Sequence, residues 1–378
     1  MIRKRDLETL LQRASNPASP VLSVYLDTDQ SKATNVNRAF EVVLKNMLRD
    51  IGQTLDKSAR KEFDTDAEQV LGFLRHYREP KQGLVIFHDK SEGLFWIQAL
   101  RVGVRNGVWW RDTLYLRPLM EILDEHERYG VVLTDREHAR LFTVFLGEIE
   151  EDEEALALAD VQHVKTSGTD HLRSQMNFQR KADEHAYSHL KHVAEMMSRL
   201  ASIHEFDRLI LAGTVETTSE LYGLLPKSLR TRVTGKVSLP VEANVKQVLE
   251  ETLKIEEDLE RKREVELVEE LITAAGKNKQ AVRGLDETLL ALQEFRVWQL
   301  VYADGFVPRG SQCTNCGALL AEETESCSYC GKAVRLVDDL IELAAERVVE
   351  MEGRVEQVRG PAATRLKEAG SVGALLRY

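Results

Sequence analysis

At 378 residues, 43% hydrophobic and 30% charged, the chain can bury more than one core, and it has no run of roughly 18 uninterrupted apolar residues to span a membrane. The basic start Met1-Ile2-Arg3-Lys4-Arg5 turns polar at Asp6 with no apolar stretch or cleavage site behind it, which points away from a signal peptide and towards the cytoplasm. The net charge of −11 argues against a general nucleic-acid binder, but the acidity gathers in residues 127–275 and leaves 1–126 close to neutral.

Residues 1–126 read as a small α/β domain. Asp6–Ala14 is helix-like, and Asn16-Pro17-Ala18-Ser19-Pro20 turns the chain. Val21–Leu26 is a continuous apolar run of strand length, which fits a buried strand. After the polar stretch Asp27–Lys32, residues Phe40, Val43, Leu44, Met47, Leu48 and Ile51 recur at helical spacing, and a second helix covers about Ala59–Tyr77. Strands are expected at Gly83–His88, Leu94–Ala99 and Thr113–Leu116, with Trp109-Trp110 as core or rim.

Residues 127–275 give a second α/β pattern. Gly130–Leu133 and Ala139–Leu146 form a hairpin around Thr134-Asp135-Arg136-Glu137, followed by the acidic run Glu148–Glu154 and a polar loop Lys165–Ser174. A long helix runs from about Phe178 to Ile203. On it His185 and His189 share a face, with His192 beyond, and they read as surface histidines rather than a metal site. Strand Arg208–Ala212, helix Thr218–Leu224 and strand Arg232–Leu239 come next. Glu242–Ala275 is a long helix whose opposite charges at helical spacing suit a solvated face.

Residues 276–378 repeat the theme. Leu285–Gln293 is a helix, Val297–Ala303 a strand, and Leu336–Arg347 a further helix. Between them stand Cys313, Cys316, Cys327 and Cys330, two Cys-x-x-Cys-Gly turns ten residues apart. Such a turn brings two thiolates onto one tetrahedral ion, and Gly317 and Gly331 let the backbone close it. Two turns complete a four-cysteine shell with no open position, which means a structural zinc. Two disulfides or a rubredoxin-type iron centre are the alternatives, and a reducing cytosol disfavours the disulfides. The expected fold class is α/β. Three α/β domains, 1–126, 127–275 and 276–378, are expected, the third carrying a zinc-knuckle insertion at 310–333.

In this order the chain resembles the archaeal and eukaryotic class-1 release factor and Pelota family. Tyr129-Gly130-Val131-Val132-Leu133-Thr134-Asp135-Arg136-Glu137-His138-Ala139 is similar to the hairpin that opens that family's middle domain. Phe178-x-Arg180, with His189 and Val193-Ala194-Glu195 further on, resembles the long helix after its catalytic loop. Asp207-Arg208-Leu209-Ile210-Leu211-Ala212-Gly213 resembles the next strand and turn. The ending Val372-Gly373-Ala374-Leu375-Leu376-Arg377-Tyr378 and the cysteine insertion are similar to the archaeal members. The likeness is nearest to the bacterial branch, which includes a ribosome hibernation factor and peptidyl-tRNA hydrolase-like members.

The resemblance implies a ribosome-binding factor. Family members carry Gly-Gly-Gln in the loop before the long helix, where the glutamine positions water for ester hydrolysis. Here that loop is Lys165-Thr166-Ser167-Gly168-Thr169-Asp170-His171-Leu172-Arg173-Ser174-Gln175, and Arg173 stands where the hydrolase branch has a glycine. A side chain there takes positive φ away from the backbone, so the expectation is a factor that does not cleave. The alternative is peptidyl-tRNA hydrolysis or ribosome rescue through Ser174 and Gln175. His171, Arg173, Gln175, Arg180 and Lys181 are candidate contacts to phosphates and bases. The family's codon-reading motif falls on Ser31–Arg38, where only polar, basic character survives. Lys32, Asn35, Asn37 and Arg38 at that helix start are further RNA-contact candidates. The implied partners are ribosomal RNA at the A site and a translational GTPase such as elongation factor Tu, with the protein acting as a monomer.

Overall fold

The computed structural model describes residues 20–378 apart from 80, 91–92, 153–172, 205, 207 and 278. They divide into two compact units, one within Met1–Glu125 and Arg261–Tyr378, the other within His126–Glu260. Each is mixed α/β. The expected helix Asp6–Ala14 lies outside the described residues.

In the first unit, β1 (Val21–Asp27) lies inside an antiparallel sheet. Leu22, Val24 and Leu26 pack on α1 (Phe40–Thr54) and α2 (Lys57–His76) through Phe40, Leu44, Phe63, Val70 and Leu74. The sheet has the order β3-β2-β1-β4, with β2 (Gly83–Asp89), β3 (Leu94–Leu100) and β4 (Gly107–Arg111). On its other face Tyr25 sits edge-on to Phe87, Trp109 and Tyr115. A strand buried on both faces needs no alternation, which is why Val21–Leu26 reads as a continuous apolar run.

The expected strand Thr113–Leu116 does not form. Gly107–Arg111 pairs with β1 instead, and Leu114, Tyr115 and Leu116 make a buried connection into α3 (Arg117–Glu125). A loop can be buried when its backbone finds partners, and the Tyr115 N–H donates to Ser23 Oγ at 3.0 Å.

The second unit opens with the expected hairpin, β5 (Tyr129–Thr134) and β6 (Ala139–Phe145), extended by β7 (Glu148–Glu151) from the acidic run. Asp135 closes the turn by accepting the N–H groups of Glu137 and His138 at 2.7 and 2.6 Å. Then come α4 (Arg173–His204), β8 (Arg208–Gly213), α5 (Val215–Leu224), α6 (Lys227–Arg230), β9 (Val233–Val237) and α7 (Val245–Gly276). The sheet order is β7-β6-β5-β8-β9, with β5, β8 and β9 parallel. Helices α4 and α5 cover one face and the start of α7 covers the other. At Gly213, φ is +144° and a Cβ would stand 2.2 Å from the Thr134 carbonyl oxygen, so only glycine closes β8.

Helix α7 departs from the solvated face expected of it. Val248, Thr252, Glu256, Glu260, Glu264 and Val268 form a buried stripe at four-residue steps. Glu256 and Glu260 are tolerated there because Arg208 on β8 meets them at 2.8 and 2.7 Å, with Glu127 as a third partner at 2.7 Å. Glu264 accepts from Arg261 at 2.9 Å and from the Arg359 N–H at 3.2 Å.

Back in the first unit, β10 (Ala281–Arg283), α8 (Leu285–Gln293) and β11 (Val297–Ala303) lead to a small sheet. That sheet has the order β13-β12-β14, from β12 (Gly310–Cys313), β13 (Leu319–Leu320) and β14 (Val334–Val337). The expected helix Leu336–Arg347 starts later. Leu336 belongs to β14, and Asp339 caps α9 (Leu340–Glu350) by accepting from the Ile341 and Glu342 N–H groups. Strand β15 (Arg354–Val358), α10 (Gly360–Glu368) and β16 (Val372–Leu376) complete the sheet β10-β16-β11-β15, in which β11 and β15 run parallel. Helices α8 and α9 cover one face, α10 and the end of α7 the other.

Candidate metal centre and RNA-contact residues

The cysteines converge. Their four Sγ atoms all lie within 4.8 Å of one another, with Cys313–Cys330 at 3.4 Å and Cys316–Cys327 at 3.7 Å. Zinc–sulfur bonds of about 2.3 Å put the sulfurs of a tetrahedron roughly 3.8 Å apart, so the cluster has the right size. These separations are far above a disulfide bond of about 2.05 Å.

The backbone explains how the turns close. Gly317 and Gly331 sit at φ +72° and +70°, and their N–H groups return to the Cys313 and Cys327 carbonyls at 3.1 and 2.8 Å. Amides of Asn315 and Cys316 point at Cys313 Sγ, and that of Tyr329 at Cys327 Sγ, each at 3.4 Å. The Cys316 amide above all holds the Cys313 thiol down at about 6. For Cys316 the Ala318 amide favours the thiolate, but desolvation and the other three thiols push it up to about 12. Four thiols this close cannot all ionise without a cation among them, and a divalent metal supplies that charge. From α9, Arg347 donates to the Gly317 carbonyl at 2.6 Å and ties the first turn to the helix.

The candidates at Ser31–Arg38 separate. Lys32 is exposed and pairs with Asp27 at 2.6 Å. Asn37 is exposed with φ +53°. Asn35 faces inward, only 3% exposed, its amide donating to the Asp27 carbonyl at 3.1 Å and carboxylate at 3.0 Å. Arg38 caps the end of α2 through the Leu74 and Tyr77 carbonyls, each at 2.7 Å, and pairs with Glu41 at 2.6 Å. Asn35 and Arg38 are thus engaged within the fold, because a carboxylate and a helix end lie within their reach. Lys32 and Asn37 are the candidates left facing solvent.

In the middle region, His171 lies outside the described residues. Helix α4 begins at Arg173 rather than near Phe178, so Arg173, Ser174 and Gln175 stand in its first turn. Nothing in Arg173-Ser174-Gln175-Met176-Asn177 breaks a helix, whereas a pair of glycines would. Arg180 and Lys181 are exposed on the same helix. Half-buried His189 leans on the hairpin turn, 3.5 Å from Thr134 Oγ1, and burial lowers its pKa below the usual imidazole value.

One constellation has no sequence signal. Arg117, 5% exposed, pairs with Asp339 at 2.5 Å and Glu121 at 2.8 Å, and donates to the Phe306 carbonyl at 3.0 Å. Tyr115 donates to Asp339 at 3.1 Å and Tyr302 to Glu121 at 2.9 Å. Nearby, Arg111 pairs with buried Glu342. The network joins α3 and β4 to α9 and β11 inside the first unit, across more than 180 positions of sequence. Its groups are too far apart in the chain for any local pattern to show it.

Residues 115–257 match the model of Bacterial archaeo-eukaryotic release factor family 10. Peptide chain release factor subunit 1 of Methanobrevibacter smithii is 22% identical, the match covering 99% of this chain and 96% of that protein. The same factor from Archaeoglobus fulgidus is 23% identical over 83% of this chain and 78% of that protein. A ribosome-bound archaeal Pelota is 15% identical, covering 99% of this chain and 94% of that chain with a TM-score of 0.41. These sequence matches are to archaeo-eukaryotic release factors and are consistent with a bacterial branch of that family.

Proposed function

We propose that this chain is a ribosome-binding translation factor that occupies the A site as a release factor does and holds the ribosome inactive. Residues 1–126 would face the decoding centre, 127–275 the peptidyl transferase centre, and 276–378 outward, where a translational GTPase such as elongation factor Tu delivers it. The supporting observation is similarity to peptide chain release factor subunit 1 over 99% of the chain, in a sequence that lacks Gly-Gly-Gln. Ser174 and Gln175 in the first turn of α4, with arginine before them, fit occupation of RNA better than cleavage. Cys313, Cys316, Cys327 and Cys330 hold a structural zinc ion, far in sequence from that helix.

Co-sedimentation tests the reading. Pelleting with vacant 70S ribosomes, with no peptide released from peptidyl-tRNA, is the expected result. Binding only to ribosomes stalled on truncated mRNA favours rescue instead. Peptide release that Gln175→Ala abolishes establishes the hydrolase and overturns the proposal.

A further inference from the structure

One corner of the β10-β16-β11-β15 sheet carries aromatic side chains into solvent beside a group of cations. Trp298 is the extra residue of a β-bulge: Val297 pairs with Leu376 and Gln299 with Leu375, leaving the tryptophan without a strand partner. It is 40% exposed. The Arg354 and Arg377 guanidiniums lie 5.8 and 5.5 Å from its ring centre. Phe295, three residues earlier, is 65% exposed at φ +58°, and Tyr378 is 70% exposed.

The backbone around them is fixed by hydrogen bonds, Phe295 and Glu352 closing the last turns of α8 and α9 as left-handed caps. Gln280 and Glu352 take φ +47° and +56°. Gln280 and Arg296 are fixed by the Leu376 and Arg377 amides, donating to their carbonyls at 2.7 and 2.8 Å. At the same end of the sheet a cleft of about 500 Å³ is lined in part by Val282, Leu376, Lys279, Arg296 and Tyr378. Arg296 is matched by Glu294 at 2.6 Å, while Lys279 and Arg354 have no carboxylate partner among the described residues. Large aromatics held in water work against stability, so their meeting with cations at one corner points to a ligand.

We propose that Lys279, Phe295, Trp298, Arg354, Arg377 and Tyr378 form a docking surface for an unpaired segment of RNA. Bases stack on the exposed rings and phosphates meet Lys279 and Arg354, while Arg377 braces the corner by donating to the Val297 and Met351 carbonyls. An acidic peptide would use the cations but gain little from three flat rings held in water. This gives the ribosome-binding reading a second RNA contact, in 276–378, and rests on that reading only for which RNA the surface meets.

The test is fluorescence anisotropy of the full chain with a labelled oligoadenylate of about a dozen nucleotides. Salt-sensitive binding is expected, weakened about tenfold or more by Trp298→Ala and by Arg354→Glu, and largely kept by Trp298→Tyr. Arg354 is exposed, so its variant reads out binding even if Trp298→Ala unfolds. Equal affinity of wild type and Arg354→Glu overturns the proposal, as does displacement of the RNA by oligoglutamate. Loss of ribosome co-sedimentation with oligoadenylate binding intact defeats only the ribosomal reading. The reverse pattern defeats only this one.

Discussion

Arg117 and Asp339 bring opposite charges to a place where water hardly reaches, their side chains 5% and 2% exposed. Burial alone would weaken the guanidinium charge, but Tyr302, Asp339 and Glu121 hold it above its ordinary value. A buried pair adds little net stability over an apolar pair, yet removing one partner strands the other, at about 3–5 kcal/mol. Asp339→Asn should therefore cost the first unit stability of that order, read as a lower urea midpoint at unchanged slope, and an unchanged midpoint would contradict the network. Legibility at this scale followed distance along the chain. Cys313 and Cys316 announce themselves because both ligands lie in one turn. Asn35 and Arg38 do not show their roles, because Arg38 meets carbonyls 36 and 39 positions away.

Among elements, periodic or continuous patterns carried through. Val21–Leu26, the 129–145 hairpin and the helix ending near His204 are where the residues put them. Two kinds of segment did not. Leu114–Leu116 has the apolarity of a strand but serves as a buried connection, and β15 and α10 lack a strong enough periodic signal to be read. Helix α4 starts at Arg173, earlier than its apolar periodicity indicates, because the residues Arg173-Ser174-Gln175-Met176-Asn177 contain no helix breaker. The cysteine insertion is the element most dependent on one interaction, since its own core is little more than Cys313, Ala318 and Cys327. Chelation should release one zinc per chain, measured by atomic emission, and strip β12–β14 of hydrogen-exchange protection while β10, β11, β15 and β16 keep theirs. Finding iron would refute the zinc assignment. Gly317→Ala forces a side chain into φ +72° and should cost about 1–2 kcal/mol of that local stability. Unchanged metal retention under competition by a chelator would show the turn to be less constrained than its geometry implies.

At the scale of the whole molecule, the two units should respond to pH in opposite senses. In the first, burial pushes Glu342 from an ordinary 4.5 up to about 8 against the pull of Arg111, and Glu346 on the same helix up to about 7. A carboxyl whose folded pKa is raised binds its proton more tightly in the folded state. Its stabilisation is complete below about pH 4.5 and is lost as pH climbs through 7 and 8. In the second unit, burial lowers His189 below 6.5, with Asp135 and the His138 backbone pulling the other way. That contribution is present above the ordinary imidazole value and fades as pH falls below it. Thermal melts of the full chain should thus show the first unit losing stability between pH 5 and 8 while the second gains from pH 5 towards 7. Hydrogen exchange in β1 and β11 reports on the first, and in β5 and β8 on the second. Glu342→Gln combined with Glu346→Gln should flatten the first response and leave the second, and His189→Asn the reverse. Parallel responses in both units would mean that neither burial governs its unit. A flat first unit in the wild type would mean that Arg111 holds Glu342 ionised throughout, so that α9 docks on a true ion pair rather than on a protonated carboxyl.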